Sequence, residues 1–130
     1  MRIPRDLLDD IVAHAQAEAP NECCGMIAVA DGLATRVFRA TNTAASPLRY
    51  VLDPKEMLHI FNAIEDADWD LGAIYHSHTR SPPLPSQTDI NLATYPDALY
   101  VIVGVHGQEP EVRAFRIVEA QVEEVELSVV

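Results

Sequence analysis

Two histidines, a serine and an aspartate stand at a spacing that can close around one metal ion. His76 and His78 are followed by seven residues, then Ser86, two more residues and Asp89, within the segment HSHTRSPPLPSQTD. Histidines at i and i+2 of a strand point to one face. An aspartate one short loop away offers a hard oxygen ligand. Three ligands of this nitrogen and oxygen type leave a fourth position on zinc for water, the arrangement of a catalytic site rather than a structural one. Ser86-Gln87-Thr88-Asp89 also reads as a helix N-terminus, with Ser86 as N-cap and an acid three residues on. The two readings are compatible. A capped helix start carries positive partial charge, so an aspartate in its first turn stays ionised and can face back toward a metal at the end of the preceding strand.

Zinc lowers the pKa of its bound water and polarises a carbonyl. Amide hydrolysis then needs a base to take the water's proton and pass it to the leaving amine. Glu22 is the candidate: it follows Pro20-Asn21 and precedes the apolar run Cys23-Cys24-Gly25-Met26-Ile27. Burial there raises a carboxyl pKa; the alternative is a strand-end glutamate in solvent. The Ser86 hydroxyl could donate to the oxyanion of a tetrahedral intermediate, with the capping role as its alternative. The other candidates are weaker. His14 and His59 fall within helices as surface or packing residues, and His106 falls in an exposed turn. Ser77 points away from both histidines as a structural hydroxyl. The chain has neither a Gly-x-Ser-x-Gly elbow nor an HExxH helix. Cys23 and Cys24 are adjacent, so they read as small buried residues and not as a disulfide or a C-x-x-C site.

The elements that must position these residues follow from periodicity. Residues 4–18 read as an amphipathic helix with Leu7, Leu8, Ile11, Val12 and Ala15 on one face. Residues 22–30 read as a buried strand, Asp31-Gly32 as a two-residue hairpin turn, and Thr35 to Ala40 as the return strand. A polar loop spans 41–48, and Tyr50 to Leu52 is expected as a short strand. Pro54 opens a second helix, ending near Asp68, with Met57, Leu58, Phe61 and Ile64 as its stripe. Leu71 to His78 is a strand with the histidines at its carboxyl end. The Pro-rich loop 79–85 is stiff and stands where it could line a groove for a substrate tail. A short helix runs from Ser86 to about Thr94. Ala98 to Val105 is a continuous apolar run, expected as a central strand. Val112–Val118 and Val122–Val129 close the chain, the last with Val125, Leu127 and Val129 inward and Glu124, Glu126 and Ser128 outward. This order describes an α/β or α+β fold, a mixed sheet covered by helices.

The chain has 130 residues, 48% apolar and 22% charged, which suits a single domain over 1–130. No apolar stretch is long enough to span a bilayer, and MRIPRDLLDD lacks the apolar core of a signal peptide; a cytoplasmic location is expected. A net charge of −11 argues against nucleic acid and against anionic membrane as partners.

Glu22, His76-Ser77-His78, Ser86 and Asp89 together resemble the JAMM (MPN+) metalloprotease motif. Asn21-Glu22-Cys23-Cys24-Gly25, Ile74-Tyr75 before the histidines, and Asp97-Ala98-Leu99-Tyr100-Val101-Ile102-Val103 are similar to short prokaryotic members. The resemblance covers nearly the whole chain. It implies a cytidine-deaminase-like mixed β-sheet flanked by helices, with one Zn2+ and a bound water on His76, His78 and Asp89. It also implies Glu22 as general acid/base and Ser86 as oxyanion donor. The implied reaction is hydrolysis after the C-terminal Gly-Gly of a ubiquitin-like sulfur-carrier protein, trimming a tail or releasing carrier-bound cysteine. A homodimer is a further expectation from relatives. Three other readings fit less well. A non-catalytic MPN scaffold would lack ligands, and here none is missing. A nucleobase deaminase would need a Pro-Cys-x-x-Cys pair. The DNA-repair-associated RadC branch is disfavoured by the acidic charge.

Overall fold

The computed structural model describes residues 1–130. Its elements are β1 (Arg2–Ile3), α1 (Arg5–Glu18), β2 (Cys24–Ala30), β3 (Leu33–Ala40), α2 (Pro54–Asp66), β4 (Asp70–His78), α3 (Gln87–Leu92), β5 (Leu99–Gly104), β6 (Glu111–Val118), β7 (Gln121–Val125) and β8 (Ser128–Val129). The strands form one eight-stranded sheet in the order β7-β6-β5-β4-β2-β3-β1-β8. It is mixed: β4–β5, β1–β3 and β1–β8 are parallel and the other pairs antiparallel. No helix is long and apolar enough to cross a membrane.

Helices cover the sheet on both sides, which is why β5, its apolar run, is buried along its whole length. On one face Leu8, Ile11 and Ala15 of α1 pack with Tyr75, Val101 and Val103. On the other, Ile60 and Ile64 of α2 pack with Met26, Ile74, Ile102 and Phe115. The strand period of two divides β4 between the faces: Tyr75 and Ser77 lie toward α1, Ile74, His76 and His78 toward α2 and α3. Tyr75 passes directly over Gly25, where an added Cβ would lie 2.4 Å from its ring. Its hydroxyl meets His14 Nδ1 at 2.7 Å. Gly25, the partner of Tyr75 across the β2–β4 ladder, thus leaves room for the ring, and α1 is tied to β4 through the core.

The Asp31-Gly32 turn is as expected, with φ of 51° and 76°, both positive as a type I′ hairpin requires. Three expectations fail. Leu58, expected in the apolar stripe of α2, is 62% exposed, and Ile60 takes the buried place beside Ile64. Tyr50 to Leu52 is not a strand; only a single bridge joins Leu52 to Asn42, and Asn42 side-chain bonds order the rest. Val122–Val129 is not one strand either. β7 ends at Val125 on one edge of the sheet, and β8 pairs with β1 on the other (Arg2↔Ser128, Ile3↔Val129). Val129 is 41% exposed and not inward. Two intervening residues reach about 10 Å, whereas the edges of a flat eight-stranded sheet lie roughly 34 Å apart. The sheet therefore curls until its edges nearly meet. β1, too short for any periodicity, was not anticipated.

Candidate metal centre

β4 carries His76 and His78 to its carboxyl end between β2 and β5 (His76 opposite Cys24 and Ile102, His78 opposite Gly104). Ser77, between them, fixes the neighbouring chain. Its hydroxyl accepts from the Cys23 amide at 2.8 Å and its amide donates to the Cys23 carbonyl at 3.2 Å. That pairing holds Glu22 beside the histidines. The Glu22 amide donates to the Ser46 carbonyl at 2.9 Å, and its carbonyl accepts from Asn42 Nδ2 at 3.0 Å. Both ends of its peptide are thus fastened.

After β4 the Pro-rich loop turns tightly. Pro83 fills the space over Gly104, where a Cβ would lie 2.8 Å from it, and Pro82 presents its carbonyl to His78 Nδ1 at 2.8 Å. A carbonyl only accepts, so Nδ1 carries a hydrogen and Nε2 is the atom that faces the centre. α3 then begins with a capping box. Ser86 Oγ accepts from the Asp89 amide at 3.1 Å, and Asp89 Oδ2 accepts from the Ser86 amide at 2.9 Å. The box aims the Asp89 carboxylate back at β4.

Three ligand atoms converge as a result. His76 Nε2 lies 3.2 Å from His78 Nε2 and 3.2 Å from Asp89 Oδ1, and His78 Nε2 lies 3.1 Å from Asp89 Oδ2. Tetrahedral zinc at about 2.0–2.1 Å from each ligand needs ligand atoms roughly 3.3–3.4 Å apart. The donor set, its spacing and its burial (side chains 1%, 5% and 9% exposed) fit that ion. Burial holds His76 below the ordinary imidazole range, so it is neutral at pH 7. Burial also opposes charge on Asp89, but hydrogen bonds from His76 and His78 outweigh it and hold its carboxyl far below the usual range.

Glu22 is 4% exposed and its Oε1 has no partner within the protein. Burial, the largest influence, pushes its pKa up to about 7, the nearby His78 works against that and the Asp89 charge adds to it. This is a carboxyl poised near neutrality. The alternative of a solvated strand-end acid is excluded. Ser86 is exposed and caps α3; the cap uses an oxygen lone pair and leaves the hydroxyl hydrogen free. All five residues singled out from the motif are thus brought to one end of β4. His59 and His106 are exposed, and His14 is buried against Tyr75 away from the centre. Both cysteines are free and buried. Sequence reasoning missed Asn42, Tyr50 and the Pro82 carbonyl. Tyr50 stacks on the His76 ring. It falls in the segment expected as a strand, and no spacing in the sequence ties it to the histidines.

A curled mixed sheet with helices on both faces and a His-x-His, Asp and Glu centre at one strand end defines a JAMM-type hydrolase site. Residues 4–118 match the family described as prokaryotic homologs of the JAB domain, and the chain belongs to that family. It is 43% identical to the CysO-cysteine peptidase of Mycobacterium tuberculosis, over 98% of this chain and 90% of that one. It is 39% identical to the desampylase of Haloferax volcanii, over 83% of each. Among solved structures, a protein from Desulfitobacterium hafniense superposes with a TM-score of 0.89 at 30% identity, covering 99% of this chain and 92% of that one.

Proposed function

We propose that this chain is a zinc-dependent peptidase that hydrolyses the amide bond after the C-terminal Gly-Gly of a ubiquitin-like sulfur-carrier protein. It would trim a tail or release carrier-bound cysteine. The observation that carries the reading is the convergence of His76 Nε2, His78 Nε2 and the Asp89 carboxylate at 3.1–3.2 Å beside a buried, unpartnered Glu22 oxygen. The substrate class is supported by relatives named as a CysO-cysteine peptidase and a desampylase.

In this reading His76, His78 and Asp89 hold zinc, which when bound activates water and polarises the scissile carbonyl. Glu22, as the carboxylate, takes the water's proton and delivers it to the leaving nitrogen. Its burial brings its pKa near the working pH, where both transfers are easy. Ser86 gives its free hydroxyl hydrogen to the developing oxyanion while its oxygen keeps the cap on α3. Pro82 and Ser77 act at one remove, the first by turning His78, the second by fastening the segment that bears Glu22.

The test is cleavage of a sulfur-carrier protein from the same genome, extended beyond its Gly-Gly, by wild type and Glu22→Gln, with zinc measured in both. Zinc in both and cleavage by wild type alone is the expected result. Absence of zinc from wild type, or cleavage that survives Glu22→Gln, would overturn the reading.

A further inference from the structure

The two histidine ligands are held in different ways. His78 gives its second nitrogen to the Pro82 carbonyl at 2.8 Å. His76 Nδ1 is buried and no protein group reaches it. A zinc-ligating histidine ordinarily donates its second N–H to a carboxylate, carbonyl or water, and that bond sets the rotation of the ring. His76 has an aromatic neighbour in place of one. The rings of Tyr50 and His76 stack with centroids 4.5 Å apart and 23° between planes, at the close end of the roughly 4.5–7 Å range for aromatic pairs.

Tyr50 belongs to no helix or strand, so its position depends on what holds the loop between β3 and α2. The Tyr50 ring packs against the core that α2 covers, and on its open side Tyr50, Leu52, Met57 and Leu92 line an apolar cavity of about 280 Å³ between α2 and α3. The backbone around it is held by Thr43, whose amide and hydroxyl both donate to the Val51 carbonyl at 2.9 and 3.1 Å, and chiefly by Asn42. Its Nδ2 donates to the carbonyls of Glu22 and Arg49, each at 3.0 Å. Its Oδ1 accepts from the amides of Ala44 at 3.1 Å and Val51 at 3.0 Å. Asn42 thus grips the residues on either side of Tyr50 and, through the same amide, the backbone of Glu22.

We propose that Tyr50 is a positioning residue for the metal ligand His76, and that Asn42 keeps it in place. The stack does for His76 what the Pro82 carbonyl does for His78: it stops rotation of the imidazole, so that Nε2 stays within reach of the ion the other two ligands hold. The inference rests on the zinc reading above and assigns a role to two residues outside the motif.

The test is the zinc dissociation constant, by competition with a chromophoric chelator, for wild type, Tyr50→Phe, Tyr50→Leu and Asn42→Ala. In parallel, the His76 ring C–H resonances are recorded on zinc-free protein. Tyr50→Phe keeps the stack and should bind like wild type. Tyr50→Leu and Asn42→Ala should bind roughly 10–100-fold more weakly, the scale for losing a partner that orients a ligand. The upfield ring-current shift of His76 should persist in Tyr50→Phe and vanish in Tyr50→Leu. Wild-type affinity in Tyr50→Leu, or Phe as weak as Leu, would overturn the proposal. If Tyr50→Leu does not fold, Asn42→Ala decides, since it leaves both rings intact. If wild type takes up no zinc the functional reading fails, and the ring-current shift alone then decides whether Tyr50 orients His76.

Discussion

Ser86 and Asp89 hold each other by both ends. The serine hydroxyl accepts from the aspartate amide, and the aspartate carboxylate accepts from the serine amide. The same carboxylate faces His76 and His78. The device that starts α3 is therefore the device that aims the third ligand, and a change at Ser86 acts on folding and on chemistry at once.

Ser86→Ala removes both roles. The expected loss is about 10²–10³ in kcat with zinc retained, and about 1 kcal/mol of stability from the missing cap. Glycine is nearly as good an N-cap, costing only about a few tenths of a kcal/mol. Ser86→Gly should therefore recover stability in urea denaturation and remain as slow as Ser86→Ala. Equal recovery of kcat would show that the cap was the whole contribution.

The activity should fall on the acid side of neutrality. In the proposed mechanism Glu22 can act as base only when ionised, and burial raises its pKa to about 7. A bound cation favours the carboxylate, so the limb lies at or below that value. The kcat/KM profile should drop about tenfold per pH unit below it, while zinc content measured over the same range stays constant. Zinc lost in step with activity would assign the limb to protonation of the histidine ligands.

Zinc should stabilise the wild type and not Asp89→Ala. An ion present at about 1,000 times its dissociation constant adds about 4 kcal/mol to the native state. A chelator should lower the wild-type Tm and leave Asp89→Ala unchanged, since that variant keeps only the two histidines. A metal-dependent Tm in Asp89→Ala would remove the carboxylate from the ligand set.

His14 and Tyr75 supply a pH dependence unrelated to the metal. Burial, the larger influence, and the nearby Arg39 charge hold His14 below 6.5. On acidification the unfolded chain takes up that proton before the native one does. Stability is then complete above 6.5 and falls as the pH drops through 6.5 toward the lower native value. Tyr75→Phe leaves buried His14 without its 2.7 Å partner and should cost about 1–3 kcal/mol. Its zinc content should match wild type; a loss of zinc would show that the bond reaches across the sheet to the ligands.

The parts of the site legible in the sequence are those encoded within a few residues. His76 and His78 share a face because a strand repeats every two residues. Ser86 and Asp89 face each other because a helix start leaves amides free for its own first-turn side chains. The Asp31-Gly32 turn and the buried β5 are local in the same sense. The burial of Glu22 was not local. It depends on Cys23 meeting Ser77, 54 residues away, and on Asn42 and Ser46 closing over its peptide.

The sequence by itself determined which atoms could ligate a metal, and the helix and strand periods that turn them to one side. Tertiary structure decided that Tyr50 lies on His76, that Asn42 fastens the loop beneath it, and that the last strand divides between opposite edges of the sheet. The physical reason is range. Backbone geometry fixes neighbours within one helical turn or one pleat, while strand register and sheet curl are set by packing summed over both cores, which no short window of residues contains.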